Sequence, residues 1–156
     1  MVYFVRMLNS NVALAEDALQ DLFVKLVEKP GQFDRSRSFK TWIFSVAHNT
    51  CKNYYRHQNV VKESSEFLQN EDPLQQENFY RVAARVDAAL FRQLLFEMLD
   101  TLPPLKKECF LLRYQEDHTI AEIAQIQQCA EGSVKSRLHY TLKFLEEKLK
   151  MFNPVR

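Results

Sequence analysis

"TIAEIAQIQQCAEGSVKSRLHY", residues 119–140, begins with a threonine and carries a glutamate three positions later, at Glu122. This is a capping box, in which the Thr119 hydroxyl and the Glu122 carboxylate satisfy N–H groups left without partners at a helix start. Ile120, Ile123, Ala124 and Ile126 give a short helix its buried side, and QQCA at 127–130 turns the chain. A further helix is expected from Glu131 to Lys150. Two helices joined by a tight turn make a helix-turn-helix.

In the second of these helices, Val134, Leu138, Leu142 and Leu145 are expected to form the inward ridge. That leaves Ser133, Lys135, Ser136, Arg137, His139 and Tyr140 around the outer side, and each of them can donate a hydrogen bond. A helix lying in a DNA major groove needs this set: short side chains near its N-terminal end for close approach, Arg for guanine edges, Lys and Ser for phosphates. Gly132, at the helix entrance, permits close packing or backbone approach. A solvated face on a two-helix hairpin is the competing explanation of the same residues.

The rest of the chain points to an all-α protein. Among its 156 residues glycine occurs only at Gly31 and Gly132, while the straight-chain and small helix formers are plentiful. A helix is expected from Phe79 to Asp100, with Val82, Val86, Leu90, Leu94 and Met98 four apart, and LPP at 102–104 stops it. The next runs from Leu105 to Tyr114, with Phe110, Leu111 and Tyr114 as its apolar positions, because Pro104 suits a first helical turn. Upstream, "NVVKESSEFLQNEDPLQQEN" at 59–78 is polar, acidic and broken by Pro73. It is expected to be a linker between two small helical domains, residues 1–58 and 79–156.

In the first domain Ala18, Leu19, Leu22, Phe23 and Leu26 form one apolar stripe, ended by KPG at 29–31, with Asp17, Gln20, Asp21, Val24 and Glu28 opposite. A second helix starts near Ser38, where Phe39, Trp42, Ile43 and Val46 repeat at the spacing of a buried face. A third segment, from Asn49 to Gln58, reverses the pattern: its regular stripe is polar, with Asn49, Lys52, Asn53 and Arg56 on one face.

Charge adds to this contrast. The whole chain carries a formal net charge of +1, too little to steer it toward nucleic acid or an anionic surface. Yet Arg35, Arg37, Lys40, Lys52, Arg56 and Lys62, with His48 and His57, occur from 35 to 62 without one acid, interleaved with Phe39, Phe44, Tyr54 and Tyr55. Basic side chains track phosphates and aromatic faces stack unpaired bases, so the combination suits single-stranded DNA better than an intact duplex. A basic helix with core aromatics is the alternative, and for Phe39 and Trp42 a core position is expected.

Other classes find little support. Cys51, Cys109 and Cys129 are scattered, without the paired spacing of a disulfide framework or zinc ribbon. His48 and Cys51 are three apart, but two ligands do not make a metal site, and neither metal nor cofactor is expected. No nucleophile triad, phosphate-cradling glycine loop or paired buried carboxylates stands out, so no enzymatic activity is expected. The chain also lacks a membrane-length apolar run and a signal-peptide layout, and a cytoplasmic location is expected.

Taken together, "AEDALQDLFVKLVE" (15–28), "FDRSRSFKTWIFSVAHNTCKNYYRHQ" (33–58), "LPPLKKECFLLRYQEDHTIAEIAQ" (102–125) and "EGSVKSRLHYTLKFLEEKL" (131–149) resemble an extracytoplasmic-function (ECF) sigma factor of the sigma-70 family. Both domains agree with the family in order and spacing. The resemblance implies an alternative sigma factor, a subunit that recruits RNA polymerase core, reads promoter elements near −35 and −10 and melts the latter. It implies that Asp17, Gln20, Asp21 and Val24 meet the clamp helices of the polymerase core. Asn49 would read a base flipped from the −10 strand, with Thr50, Lys52, Asn53 and Arg56 beside it, and Ser133, Lys135, Ser136, Arg137 and His139 would contact the −35 duplex. The implied partners are polymerase core and promoter DNA, with an anti-sigma factor as a further candidate.

The chain departs from the family in several places. Relatives usually begin with one or more helices ahead of the equivalent of Tyr3, so a shortened N-terminus or an upstream start is expected. Gln128 stands for the usual Gly at the turn and Ala130 for the usual N-capping Ser/Thr, a loss of ~1 kcal/mol. Tyr140 and Leu142 occupy positions where Arg is common. Two rival functions remain: a helix-turn-helix regulator that never joins polymerase, and a sigma-like interaction module that does not open DNA.

Overall fold

The computed structural model describes the backbone of residues 1–65 and 88–150, with side chains for 1–58 and 88–150. Among these residues there are seven α-helices, one 3₁₀ turn at Pro30–Gln32 and no strand. The expected linker, beyond its first seven residues, lies outside the described part, as do Val82, Val86 and the side chain of Lys62.

Helix α1, Val2–Met7, buries Tyr3, Phe4 and Met7. Asn9 and Ser10 then take positive φ angles (52° and 61°), which turns the chain sharply into α2, Val12–Glu28. Asn11 caps α2 by accepting from the Leu14 N–H at 3.1 Å. Ala15, Ala18 and Leu22 are the buried residues of α2, a narrower face than the expected stripe, and Phe23 stands 55% exposed. The small alanines let the neighbouring helices approach closely.

Helix α3 is a single element from Phe39 to Ser65, 27 residues or about 40 Å long. The expected break between Val46 and Asn49 is absent, and the helix runs seven residues beyond Gln58. No Pro or Gly interrupts this stretch, so the change from an apolar to a polar stripe marks a change of surroundings along one continuous helix. Ser38 Oγ accepts from the Thr41 N–H at its start (3.1 Å). Trp42 is buried as expected, within ring contact of Phe33 and Phe39. Phe39 itself is not a core residue: its ring leans on Phe33 and Trp42 but is 56% exposed.

Helices α4 (Ala88–Asp100), α5 (Pro104–Tyr114), α6 (Ile120–Ile126) and α7 (Glu131–Leu149) follow. The capping box is present in both directions: Glu122 N–H donates to Thr119 Oγ1 (3.2 Å) and Thr119 N–H to Glu122 Oε2 (2.7 Å). In α7 the buried residues are Val134, Leu138, Thr141 and Leu145, and Leu142 is exposed. The spacing of four, three and four keeps the ridge on one line, whereas Leu142 lies about 100° round from Thr141. Tyr114 is also exposed rather than core, and α5 instead buries Lys107, Glu108, Cys109, Leu111 and Leu112.

Burying two charged residues requires partners, and these come largely from the first module. Glu108 accepts from the Tyr3 hydroxyl and the Gln127 side-chain amide (2.7 Å), and His48 Nδ1 lies 2.8 Å from it. Lys107 Nζ reaches Asp100 (2.6 Å) and Asn9 Oδ1 (2.9 Å). Further along the same seam, Arg6 lies 3.4 Å over the Phe96 ring, Thr41 donates to Glu122 (3.3 Å), and Lys40 donates to the Glu116 carbonyl. Helices α1–α3 and α4–α7 therefore close against each other through these polar links and a shared apolar core, in which Tyr3, Phe4, Met7, Ala47 and Cys51 cluster with Cys109, Leu111, Leu112 and Ile123.

Candidate nucleic-acid interface

Along α3 the polar stripe emerges from the packed region. Asn49, Lys52, Asn53 and Arg56 are all exposed, spaced along one face, and none of their side chains is hydrogen-bonded to a described residue. Thr50, expected beside them, is turned inward. It is 2% exposed, and its hydroxyl donates to the Val46 carbonyl (3.0 Å) while accepting from Lys25 Nζ (3.3 Å). Its place in the candidate interface is therefore withdrawn, since a side chain committed on both sides supports the helix rather than meeting a ligand.

Behind the stripe, His48 is held by Glu108 and Cys51 is 2% exposed. Burial pushes the Cys51 thiol well above its ordinary range, with the Glu108 carboxylate adding to the effect, so it is kept as an apolar filler. Burial likewise raises the Tyr55 phenol, whose hydroxyl donates to the Met7 carbonyl. Tyr54 remains partly accessible, and its hydroxyl reaches Asp21 Oδ2 at 3.4 Å. Lys52 and Arg56 stand at a cleft of about 560 Å³ between α3 and the α4–α5 connection, where Pro103, Pro104, Leu105 and Gln127 form the far wall.

The outer side of α7 gives a second cationic surface with a different character. Lys135, Ser136 and His139 are exposed, Ser133 is half-buried, and Tyr140 is exposed beside His139. Arg137 is half-buried and tied back: its Nη1 donates to Gln127 Oε1 at 2.7 Å and lies 3.3 Å from Cys129 Sγ. A Cβ on Gly132 would meet nothing within 4 Å, so packing inside the chain does not demand glycine there. The bare backbone at the α7 entrance is left open to a ligand.

On α2, the expected residues Asp17, Gln20, Asp21 and Val24 are all exposed on one side of the helix. Phe23 and Val27 (79% exposed) flank them, giving an acidic surface with apolar centres suited to a protein partner. The stripe pattern in the sequence had assigned Phe23 to the core, and nothing local to it signals otherwise. Gln127 and Glu108, which connect the two modules, were also missed, because both sit in stretches that look solvated.

Two family descriptions match the chain: "Sigma-70 region 2" over residues 1–60, and "Sigma-70, region 4" over residues 92–145. The chain belongs to the ECF sigma-70 family. Among curated relatives this sigma-70 chain is similar to the ECF RNA polymerase sigma-E factor of Escherichia coli K12, 28% identical over 142 residues that cover 85% of this chain and 72% of that protein. It is similar also to the sigma-E factor of Haemophilus influenzae, 26% identical over 146 residues, covering 85% and 73%. Among solved structures it shares its fold with the sigma factor RpoE in complex with the anti-sigma factor NepR from Bartonella quintana. The TM-score is 0.72 at 24% identity, over 96% of this chain and 88% of that one. Region 2 takes in the α3 stripe and the α2 surface, and region 4 takes in the helix-turn-helix.

Proposed function

We propose that this chain is an alternative sigma factor that brings RNA polymerase core to a class of promoters, reads their −35 and −10 elements, and melts the latter without any enzymatic step of its own. The observation that carries this is the pairing of two unlike cationic faces on the two matched regions. The α3 stripe is a set of amides and cations without side-chain partners among the described residues, suited to the phosphates and base edges of separated strands, while Phe44, Tyr54 and Tyr55 pack against the core. The α7 face is a compact set of donors suited to a groove.

The roles follow the chemistry of each face. Asn49 reads a base flipped from the −10 strand, since an amide can pair with a base edge, and Lys52, Asn53 and Arg56 hold the neighbouring phosphates. Flipping costs a few kcal/mol of stacking, which these contacts offset. Ser133, Lys135, Ser136, Arg137 and His139 contact the −35 duplex. Asp17, Gln20, Asp21 and Val24, with Phe23 and Val27 beside them, dock on the clamp helices of polymerase core. The first domain spans 1–58, with 59–78 as the joining segment and 79–156 as the second domain, and the chain works in the cytoplasm. No helix among the described residues is long and apolar enough to cross a membrane. An anti-sigma factor is a further partner, as for the RpoE neighbour.

Run-off transcription from genomic fragments with purified core polymerase tests the function. Discrete transcripts that require this chain are expected. Failure to co-purify with core, combined with DNA binding, would make it a helix-turn-helix regulator; binding core without a permanganate-reactive bubble would make it an interaction module only.

A further inference from the structure

The cleft beside the α3 stripe has the size and lining of a small-molecule site. Its α3 wall runs from His48 to Arg56, about 12 Å along the helix. Its volume of about 560 Å³ falls within the roughly 300–1,000 Å³ of ligand pockets. Two turns of a helix about 10 Å across would need roughly 850 Å³, so a helical segment of a partner protein is too large to be enclosed. Met7, Cys51 and Tyr55 form one apolar side, and Pro103, Pro104 and Leu105 form the other.

Charge decides what such a ligand carries. Lys52 and Arg56, one helical turn apart at the rim, have exposed side chains that bond to no described residue. Glu108 is the only acid among the described residues lining the cleft. It is 1% exposed, and its oxygens are already engaged by Tyr3, His48 and Gln127. The rim is therefore cationic above apolar walls, and a guanidinium beside an ammonium suits a single carboxylate or phosphate. A neutral apolar molecule would leave both cations without a counter-charge. Free phosphate would leave the apolar walls in water, forgoing the gain from their burial.

We propose that this cleft binds a small amphipathic anion, with an apolar body between Met7, Tyr55 and Leu105 and a carboxylate or phosphate head on Lys52 and Arg56. Those two cations are the ones that hold −10 strand phosphates in the function proposed above, so a bound ligand and the separated strand exclude each other. That exclusion rests on the sigma reading, whereas the ligand site itself does not. The rim of the cleft is then a point at which a small molecule lowers promoter opening while the −35 contacts of α7 stay free.

The test titrates the full-length chain with decanoate, decyl phosphate and decanol, three probes that share one chain and differ in the head, and reads Kd by calorimetry. At least one of the two anions is expected to bind at a single site roughly tenfold or more tightly than decanol, the gain from charge-assisted bonds to two cations. The better head tells a carboxylate ligand from a phosphate one. Lys52→Gln/Arg56→Gln, at exposed positions that leave the core untouched, should bring the anions down to the level of decanol. Leu105→Trp, which fills the cleft from its far wall, should weaken all three, with circular dichroism checking that helix content is kept. With core polymerase, the better anion should reduce permanganate-reactive open complexes several-fold for wild-type protein and have no such effect on Leu105→Trp. A Kd weaker than about 1 mM for every probe, or anion binding unchanged in both variants, would overturn the site. Decanol binding as tightly as the anions would overturn the charged head, and binding without any loss of open complexes would overturn the exclusion of the strand. An absence of run-off transcripts with wild-type protein defeats the sigma assignment and leaves the binding result standing.

Discussion

The exposed stripe of α3 and the outer face of α7 carry similar residues but are held differently. The side chains of Asn49, Lys52, Asn53 and Arg56 are exposed and bond to no described residue, while the central cation of the other face, Arg137, is bonded through Gln127 to the seam between the modules. A surface proposed to capture a flipped base meets its ligand only as promoter DNA opens, and leaving it without side-chain partners among the described residues does no harm to the free protein. A surface that recognises intact duplex could act at once, and this one is restrained. Partnering inside the chain, more than composition, separates the two.

The largest expected effect lies on α3. Asn49→Ala should leave −35 duplex binding unchanged and reduce open complexes ~100-fold, matching the loss of a few kcal/mol of compensation for unstacking, as read by permanganate reactivity of the −10 strand. Should opening be unaffected on every promoter tried, the single-strand role of the stripe is wrong. Next comes α7. Arg137→Ala should cost ~1–3 kcal/mol, or ~5- to 150-fold, in duplex affinity and relax discrimination at one base pair, measured by competition binding across a mutated −35 set.

Salt separates the two faces on a finer scale. Lys52→Ala or Arg56→Ala should each lower the slope of log K against log salt by ~0.7 on single-stranded −10 DNA, and Lys135→Ala by ~0.9 on −35 duplex. A variant that lowers the slope on both substrates equally would merge the faces into one.

How legible these regions were differs for the same reason. The helix-turn-helix rests on contacts three and four residues apart, so Thr119, Glu122 and the Ile120–Ile126 spacing revealed it, down to the uncapped start of α7 at Ala130. The ridge of α7 was misplaced by one residue, because Leu142 is the more apolar neighbour of Thr141 and periodicity alone tolerates either. Helix α1, six residues long with no side-chain cap, gave no periodic signal. The seam was invisible for a deeper reason. Tyr3 and Glu108 are separated by 105 residues and His48 and Glu108 by 60, and Lys107 and Glu108 sit in a run that reads as solvated until their partners are known.

The turn between α6 and α7 shows where local chemistry is unfavourable. Gln128 has φ of 52°, a left-handed conformation that costs a non-glycine residue about 1 kcal/mol. Ala130 caps α7 without a side-chain bond. Gln128→Gly and Ala130→Ser should each stabilise the protein by about 0.5–1 kcal/mol, raising Tm by ~2–4 °C per kcal/mol in thermal unfolding. Neither should move the α3-dependent signals.

The smallest expected effect is a pH dependence at the seam. His118 is fully buried against Phe44 (4.8 Å), and neither ring nitrogen is hydrogen-bonded to a described residue. Burial lowers its pKa below the ordinary 6.5, and Lys40 across the seam lowers it further, against opposing pulls from Glu122 and Glu116. The unfolded chain then binds the proton more tightly, so stability is full above about pH 6.5 and falls as pH drops through the lower folded value. His118→Gln should flatten the decline of Tm between pH 7 and 5. Glu122 acts in a separate window: its carboxyl is held below 4.5 chiefly by the Thr119 backbone N–H, and its contribution is lost only under more acidic conditions.

Site-specific photocrosslinking within one assembled transcription complex addresses the division of labour directly. A probe at Lys52 should label only melted strand near −10, and a probe at Lys135 only paired DNA near −35, in the same complex and only after polymerase core is added for the first. Labelling of duplex from Lys52, or of the −10 strand from Lys135, would contradict the account.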